Sequence, residues 1–411
     1  MRILIIFMCL GIFASSQARH TNLDNALTSG SKKVDIVLYG KSLDGFGSYV
    51  NASVGLGYVT GFYYDIRGAI SFRAAQSLFD SRNAFRGDFG GVDETIVGNS
   101  TILLDESFLE YFDGDTAIKA GRFQPINEYI NVMIDGIWIR NASLKSIILE
   151  GMWAYRSGRV TYYEMQPFRR LGGDSIGWFD FGAKYFFSKK DASVKDSMYI
   201  SIFGNFIPSV FGSVGVRWHS GFRLGQGETW LGIDAGFAAS FEDSKNRFSA
   251  DNNTFLFDAK ASIGLGSWLD VFVGYVMSGK GGMGGINTLG VGNATQAGDL
   301  MFYKNIQPFF TWGGDAIKFG RNAKLVYAAS RISLFDNKLR VYAAYGMTIF
   351  DGYSGRYGNN NISNIIQNEL NVMAEFSITS SLSIIAYISD THFAKGAPNN
   401  FQVNGGFRFM F

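Results

Sequence analysis

The chain reads as all-β, and more narrowly as a transmembrane antiparallel β-barrel of about eighteen strands, with short periplasmic turns and long extracellular loops. Three observations predict it. In the last stretch, Phe401, Val403, Gly405, Phe407, Phe409 and Phe411 alternate with Gln402, Asn404, Gly406 and Arg408, so an extended chain shows one oily side and one wet side. The same alternation recurs along most of the chain. Finally, no apolar run beyond the leader approaches the ~20 residues of a transmembrane helix, while aromatics at 16% and 51 glycines against 5 prolines favour strands and turns.

The amino-terminus carries Arg2, an apolar run from Ile3 to Ala14, and small residues at Ser16 and Ala18. This is the pattern of a cleaved signal peptide covering residues 1–18, and the apolar run is too short to span a bilayer. Cys9, the single cysteine, lies in that leader, so thiol, disulfide and cysteine-metal chemistry are not expected of the mature chain. Residues 19–33 are polar and read as a periplasmic arm, and 34–411 as one barrel without an internal linker.

Strands are expected at 34–39, 48–60, 66–76, 104–112, 116–123, 136–141, 144–156, 178–188, 196–206, 209–219, 228–241, 253–266, 267–279, 324–334, 338–349, 366–378, 382–391 and 401–411. An even number returns both ends to one rim. Several segments reveal their faces. Phe179, Phe181, Ala183, Tyr185 and Phe187 point outward while Asp180 and Lys184 point inward. Leu339, Val341, Ala343, Tyr345, Met347 and Ile349 oppose Arg340 and Tyr342. Glu369, Asn371, Met373 and Glu375 share one inward face. So many charges facing one way predict a hydrated interior, since unpaired buried charge is costly.

The connections agree. Asp113-Gly-Asp, Asn141-Ala-Ser, Phe335-Asp-Asn-Lys and Thr379-Ser-Ser are tight turns in composition. Between them lie longer stretches, Ser77 to Leu103, Ser157 to Gly177, Glu242 to Asn252, Lys280 to Ala323 and Asp351 to Ile365. Two links depart from the rule: Phe206 to Ser209 is short where a loop is expected, and Gly221 to Gly227 is a long turn.

A formal charge of +2, or +1 once Arg2 leaves with the leader, gives no electrostatic case for nucleic acid. The glycine-rich Gly281-Gly-Met-Gly-Gly285 lacks the lysine and hydroxyl of a phosphate loop. Of His20, His219 and His392, only His392, two residues after Asp390, suggests a dyad, and no nucleophile elbow or metal spacing accompanies it. No enzyme, metal or cofactor is expected.

The most specific pattern runs from Leu103 to Glu150: Glu-Ser-Phe-Leu-Glu-Tyr-Phe, a turn, Ala-Ile-Lys-Ala-Gly-Arg-Phe-Gln-Pro, a mixed loop, then Asp-Gly-Ile-Trp-Ile-Arg-Asn. It resembles the OprD-like porins, most closely their epsilonproteobacterial forms, in which a strand ending in a Gly-Arg step leads into a loop folded into the pore. The terminal strand ending in Phe411 looks like the signal read by the outer-membrane barrel-assembly machinery. The resemblance implies a passive channel for small hydrophilic solutes, embedded in outer-membrane lipid, with 124–135 as the constriction. Asn127, Glu128, Tyr129, Asn131 and Asp135 would face the channel, with Lys119, Arg122 and Arg140 on the adjoining wall and Arg331 and Arg340 among the inward cations. Opposed charges across such a pore would set a transverse field. The alternative is an adhesive barrel working through the loops after Ser77, Ser157 and Lys280.

Overall fold

The computed structural model describes residues 19–43, 47–81, 101–125, 133–162, 165–171, 175–190, 192–225, 228–242, 253–282, 320–353, 363–394 and 399–411. Eighteen strands form the wall: β1 Ser31–Leu43, β2 Gly47–Val59, β3 Ile66–Asp80, β4 Thr101–Phe112, β5 Thr116–Phe123, β6 Met133–Asn141, β7 Ile147–Val160, β8 Trp178–Phe186, β9 Met198–Ile207, β10 Phe211–Arg223, β11 Trp230–Glu242, β12 Asn253–Leu265, β13 Leu269–Ser278, β14 Gly320–Leu334, β15 Leu339–Tyr353, β16 Ile365–Ser377, β17 Leu382–Phe393 and β18 Asn400–Met410. Each expected segment corresponds to one of them, with ends displaced by a few residues. Neighbours in sequence pair antiparallel, and β1 closes on β18 in the register Asp35 to Met410 through Leu43 to Gln402. Closure removes both sheet edges, which hydrocarbon would not tolerate.

The alternation sorts the faces. Ile36, Leu38, Leu370, Phe401, Phe407 and Phe409 are exposed on the outside, whereas Val37, Tyr39, Asn371, Gln402 and Asn404 are buried inside. Trp218 and Tyr345 lie on the exposed outer face, as their parity requires. A broad apolar exterior of this kind is unstable against water and suits lipid.

One rim, the turn rim, carries the tight links and the chain ends of β1 and β18. At 113–115, Asp113 Oδ1 accepts from the Thr116 and Asp115 amides at 2.8 and 2.9 Å. At 335–338, Phe335, Asp336 and Asn337 take φ of 53°, 54° and 66°, a left-handed run in which aspartate and asparagine are tolerated best. The opposite rim, the loop rim, carries the long links, and the short one at 208–210 with Ser209 at φ 61°. The loop-rim stretches 82–100, 243–252, 283–319 and 354–362 lie outside the described residues, as do the expected signal peptide and a second inward fold expected at 299–312.

The arm before β1 is structured against the turn rim. Arg19–His20 pairs in parallel with Phe62–Tyr63, Arg19 bridges to Asp65 at 2.9 Å, and a helix, Leu23–Thr28, is capped by Asn22. The Tyr58 hydroxyl donates to the Leu27 carbonyl and accepts from the Gly30 amide.

Candidate functional site: the barrel lumen

Many inward side chains of the turn half are charged, and most of these are paired. Glu110 on β4 accepts from Arg67 on β3 at 2.6 Å and lies 3.7 Å from Lys119 on β5. Arg140 on β6 meets Glu150 on β7 at 3.4 Å. Farther round, Arg217 bridges to Asp258 at 3.0 Å, His219 Nδ1 and Lys260 reach Asp234 at 2.8 and 3.3 Å, and Arg340 meets Glu375 at 2.6 Å. Arg331 bonds Asp270, which also accepts from Trp230 Nε1 at 3.1 Å. Arg73 forks onto Asp35 at 2.7 and 2.9 Å. Register explains the pattern: Arg67 faces Glu110, Arg140 faces Glu150, Asp270 faces Arg331 and Arg340 faces Glu375 across adjacent strands. Among the described residues these pairs join adjacent strands, or strands one further apart for Arg217 with Asp258 and Arg73 with Asp35. Cross-strand pairing thus answers most of the charges that line the lumen.

The loop half is different. On β9 to β16 it is lined by Ile207, Phe211, Leu256, Val276, Leu325, Phe350 and Ile365, all buried inside. The rule of aromatic outward and polar inward fails here. These positions keep inward parity, but burial within the lumen gives an apolar side chain a second place to hide.

A hairpin enters the lumen from β7. Beyond Ala154 the strand leaves β8 and takes Met165–Arg170 as its partner, with Met165 opposite Val160 and Arg170 opposite Arg156. Met165 and Val160 pack with Ala75 of β3, with Leu103 and Phe168 beside them. At the tip, the Tyr162 ring meets Tyr39 edge-on at 5.9 Å, and the Arg408 guanidinium lies 5.6 Å from the Tyr162 centroid. Tyr39 is on β1, six strands from β7 in sheet order. The stretch Ser157 to Gly177, read in sequence as an ordinary outer loop, thus supplies the described element that crosses the channel.

The sequence-predicted residues divide three ways. Arg122 and Asp135 are brought together: Arg122 Nε and Nη2 donate to the Asp135 oxygens at 2.6 and 2.9 Å, and the Phe168 ring of the inserted hairpin stacks 3.4 Å from the guanidinium carbon. That contact ties β5 and β6 to the hairpin. Gly121 precedes it at φ 123°, where a Cβ would fall 2.2 Å from the Ser107 carbonyl, so only glycine fits the bend. Lys119, Arg140, Arg331 and Arg340 lie on the inner wall in the pairs given above, and Lys119 also sits 4.4 Å from the Phe108 centroid. Asn127, Glu128, Tyr129 and Asn131 lie outside the described residues. His392 Nε2 is 3.0 Å from Asp390, both exposed at the loop rim. Sequence reading passed over Asp35, Asp270, Asn51 and Gln367, each of which inward parity alone could have marked.

No protein-family model and no curated protein sequence matches the chain. Solved structures do. The Pseudomonas aeruginosa OpdK crystal structure with vanillate aligns at 11% identity with a TM-score of 0.71, covering 94% of this chain and 99% of that one. Pseudomonas aeruginosa OccK3 (OpdO) aligns at 12% identity and a TM-score of 0.70, covering 95% and 98%. OccAB1 of Acinetobacter baumannii aligns at 10% and 0.69, covering 94% and 98%. At such identities the likeness is one of fold, end to end: this chain is built on the same closed eighteen-strand barrel as the Opd and Occ outer-membrane proteins.

Proposed function

We propose that the protein is an outer-membrane porin of the OprD-like kind, a passive diffusion channel for small hydrophilic solutes. The observation that carries this reading is the pairing of an apolar exterior with a polar, largely ion-paired interior in a closed barrel of this size. The turn rim would face the periplasm and the loop rim the outside. Residues 1–18 would be the cleaved leader, and the strand ending in Phe411 the segment the assembly machinery reads. The matching structures come from Pseudomonas and Acinetobacter, so an epsilonproteobacterial origin rests on the Leu103 to Glu150 pattern alone.

In this reading the loop at 124–135 narrows the pore beside the inserted hairpin, with Asn127, Glu128, Tyr129 and Asn131 at the opening. Lys119, Arg122, Asp135, Arg140, Arg331 and Arg340 form the charged wall around it. Pairing on adjacent strands leaves weak net selectivity for ions of either sign. Purified protein in a planar bilayer should give defined conductance steps, and deleting Asn127 to Asn131 should raise them. Flat current would sink the channel reading and leave an adhesive barrel; unchanged steps after the deletion would make 124–135 an ordinary surface loop.

A further inference from the structure

The inner face of β16, β17, β18, β1 and β2 bears a second kind of polar chemistry, concentrated in its loop half. Five carboxamides, Asn51, Gln367, Asn371, Gln402 and Asn404, are only 1–2% exposed. Two of them are tied to Glu369: Gln367 Nε2 donates at 3.1 Å and Asn371 Nδ2 at 2.8 Å, while the Tyr387 hydroxyl donates to Asn371 Oδ1 at 2.6 Å. The other three are not tied. Both amide atoms of Asn51, both of Asn404, and Gln402 Nε2 are buried without a hydrogen-bond partner.

Register brings these groups side by side. Asn404 stands between Tyr387 on β17 and Lys41 on β1, Gln402 faces Ser389, and Asn51 faces Tyr39. The buried rings of Tyr39, Tyr49 and Tyr387 form one hydrophobic cluster on the same face. Charge nearly cancels, because Lys41 and Glu369 are the inward ions of this half-face among the described residues, and the Glu369 oxygens already accept from amides. Native walls seldom bury amides unpaired. A wall that orients several of them toward a channel is set to receive donors and acceptors from something else.

The chemistry needed is specific. Each carboxamide offers both a donor and an acceptor, as does each hydroxyl of a sugar, and tyrosine rings offer flat apolar surface to the C–H face of a pyranose. A free ion would find its best partners already engaged. We infer that this face is a subsite for uncharged, hydroxyl-rich solutes of the saccharide class. The inference rests on the channel reading above and deepens it. Asn404 lies four residues, about 13 Å of strand, toward the loop rim from Arg408, which holds the Tyr162 tip. A solute from that rim therefore meets the carboxamides before the narrow point, where retention helps entry most.

Maltotriose is a suitable probe. Added to the reconstituted protein it should block the salt current in a concentration-dependent way, and Asn51→Leu and Asn404→Leu should each raise the half-blocking concentration about tenfold, the loss expected for one missing hydrogen bond. Arg223→Ala, at the turn rim where it bridges to Asp196, should leave the half-blocking concentration in place. Normal conductance without block, or block by glycylglycine and not by maltotriose, would overturn the subsite and spare the channel. If no current flows, titration calorimetry in detergent decides instead: maltotriose binding that weakens in Asn404→Leu supports the subsite in a closed barrel, and absence of heat overturns it. Migration of the unboiled variants as folded barrels in gel electrophoresis excludes misfolding as the cause.

Discussion

The two halves of the lumen solve the same problem in opposite ways. In the turn half nearly every inward charge closes on a neighbour: Arg67 and Lys119 on Glu110, Arg340 on Glu375, Lys260 on Asp234. In the loop half between β16 and β2, Asn51 and Asn404 leave their amides open. The difference follows from cost. An unpaired buried charge is several times more expensive than an unpaired buried amide, so a wall that must keep groups available for a passing solute keeps amides and pairs its ions. The turn half holds the cylinder together, and the loop half meets the solute.

The strongest way to break this comparison is to open the triad on β3, β4 and β5. Glu110 is only 3% exposed and answers two cations. Glu110→Gln removes the carboxylate that both share and should lower the unfolding free energy by about 3 kcal/mol, read by urea titration of the detergent-solubilised barrel. Adding Lys119→Met should recover part of the loss, because one of the stranded charges goes with it. A loss below about 1 kcal/mol would mean that lumen water solvates these groups as it does at a surface, and the contrast between the halves would fall.

How far this was legible in the sequence depends on what each feature needs. Strand and face need only period two, so Phe401 to Phe411 announced its oily and wet sides, and an even strand count returned both ends to one rim, where β1 pairs with β18. Ion pairing needs register as well. Arg67 and Glu110 are 43 positions apart, and alternation says that both point inward without saying that they face each other. The hairpin after Ala154 needs still more. Its course is set by Tyr162 meeting Tyr39 and by Phe168 covering Arg122, contacts across the lumen that no local pattern encodes. For the same reason the resemblance puts Asp135 beside the expected constriction, while its bond to Arg122 emerged only in three dimensions.

A smaller effect of opposite sign should sharpen the comparison from the loop half. Asn404 buries both amide atoms without partners, so Asn404→Leu, of similar size, removes a desolvation cost and should raise stability by about 1 kcal/mol. The same change is expected to weaken saccharide block. Stability gained while function is lost is the signature of a group kept for a ligand. If Asn404→Leu instead destabilises the barrel, the amide has a structural partner, and the loop half is held together as the turn half is.

The smallest effect belongs to the turn rim, where the chain leaves the wall and charge meets open water. The Thr116 and Asp115 amides that donate to Asp113 hold its carboxyl below the usual carboxylate range. A carboxyl depressed in the folded state adds stability above its unfolded value, near 3.9, and loses it as pH falls through the folded value. Asp113→Ala should therefore cost a small, nearly constant amount of thermal stability between about pH 5 and 8, with the gap to the native protein narrowing only as the acid drops below about pH 4. A gap for Asp113→Ala that instead widens in acid would show that the turn is held by something other than its carboxylate.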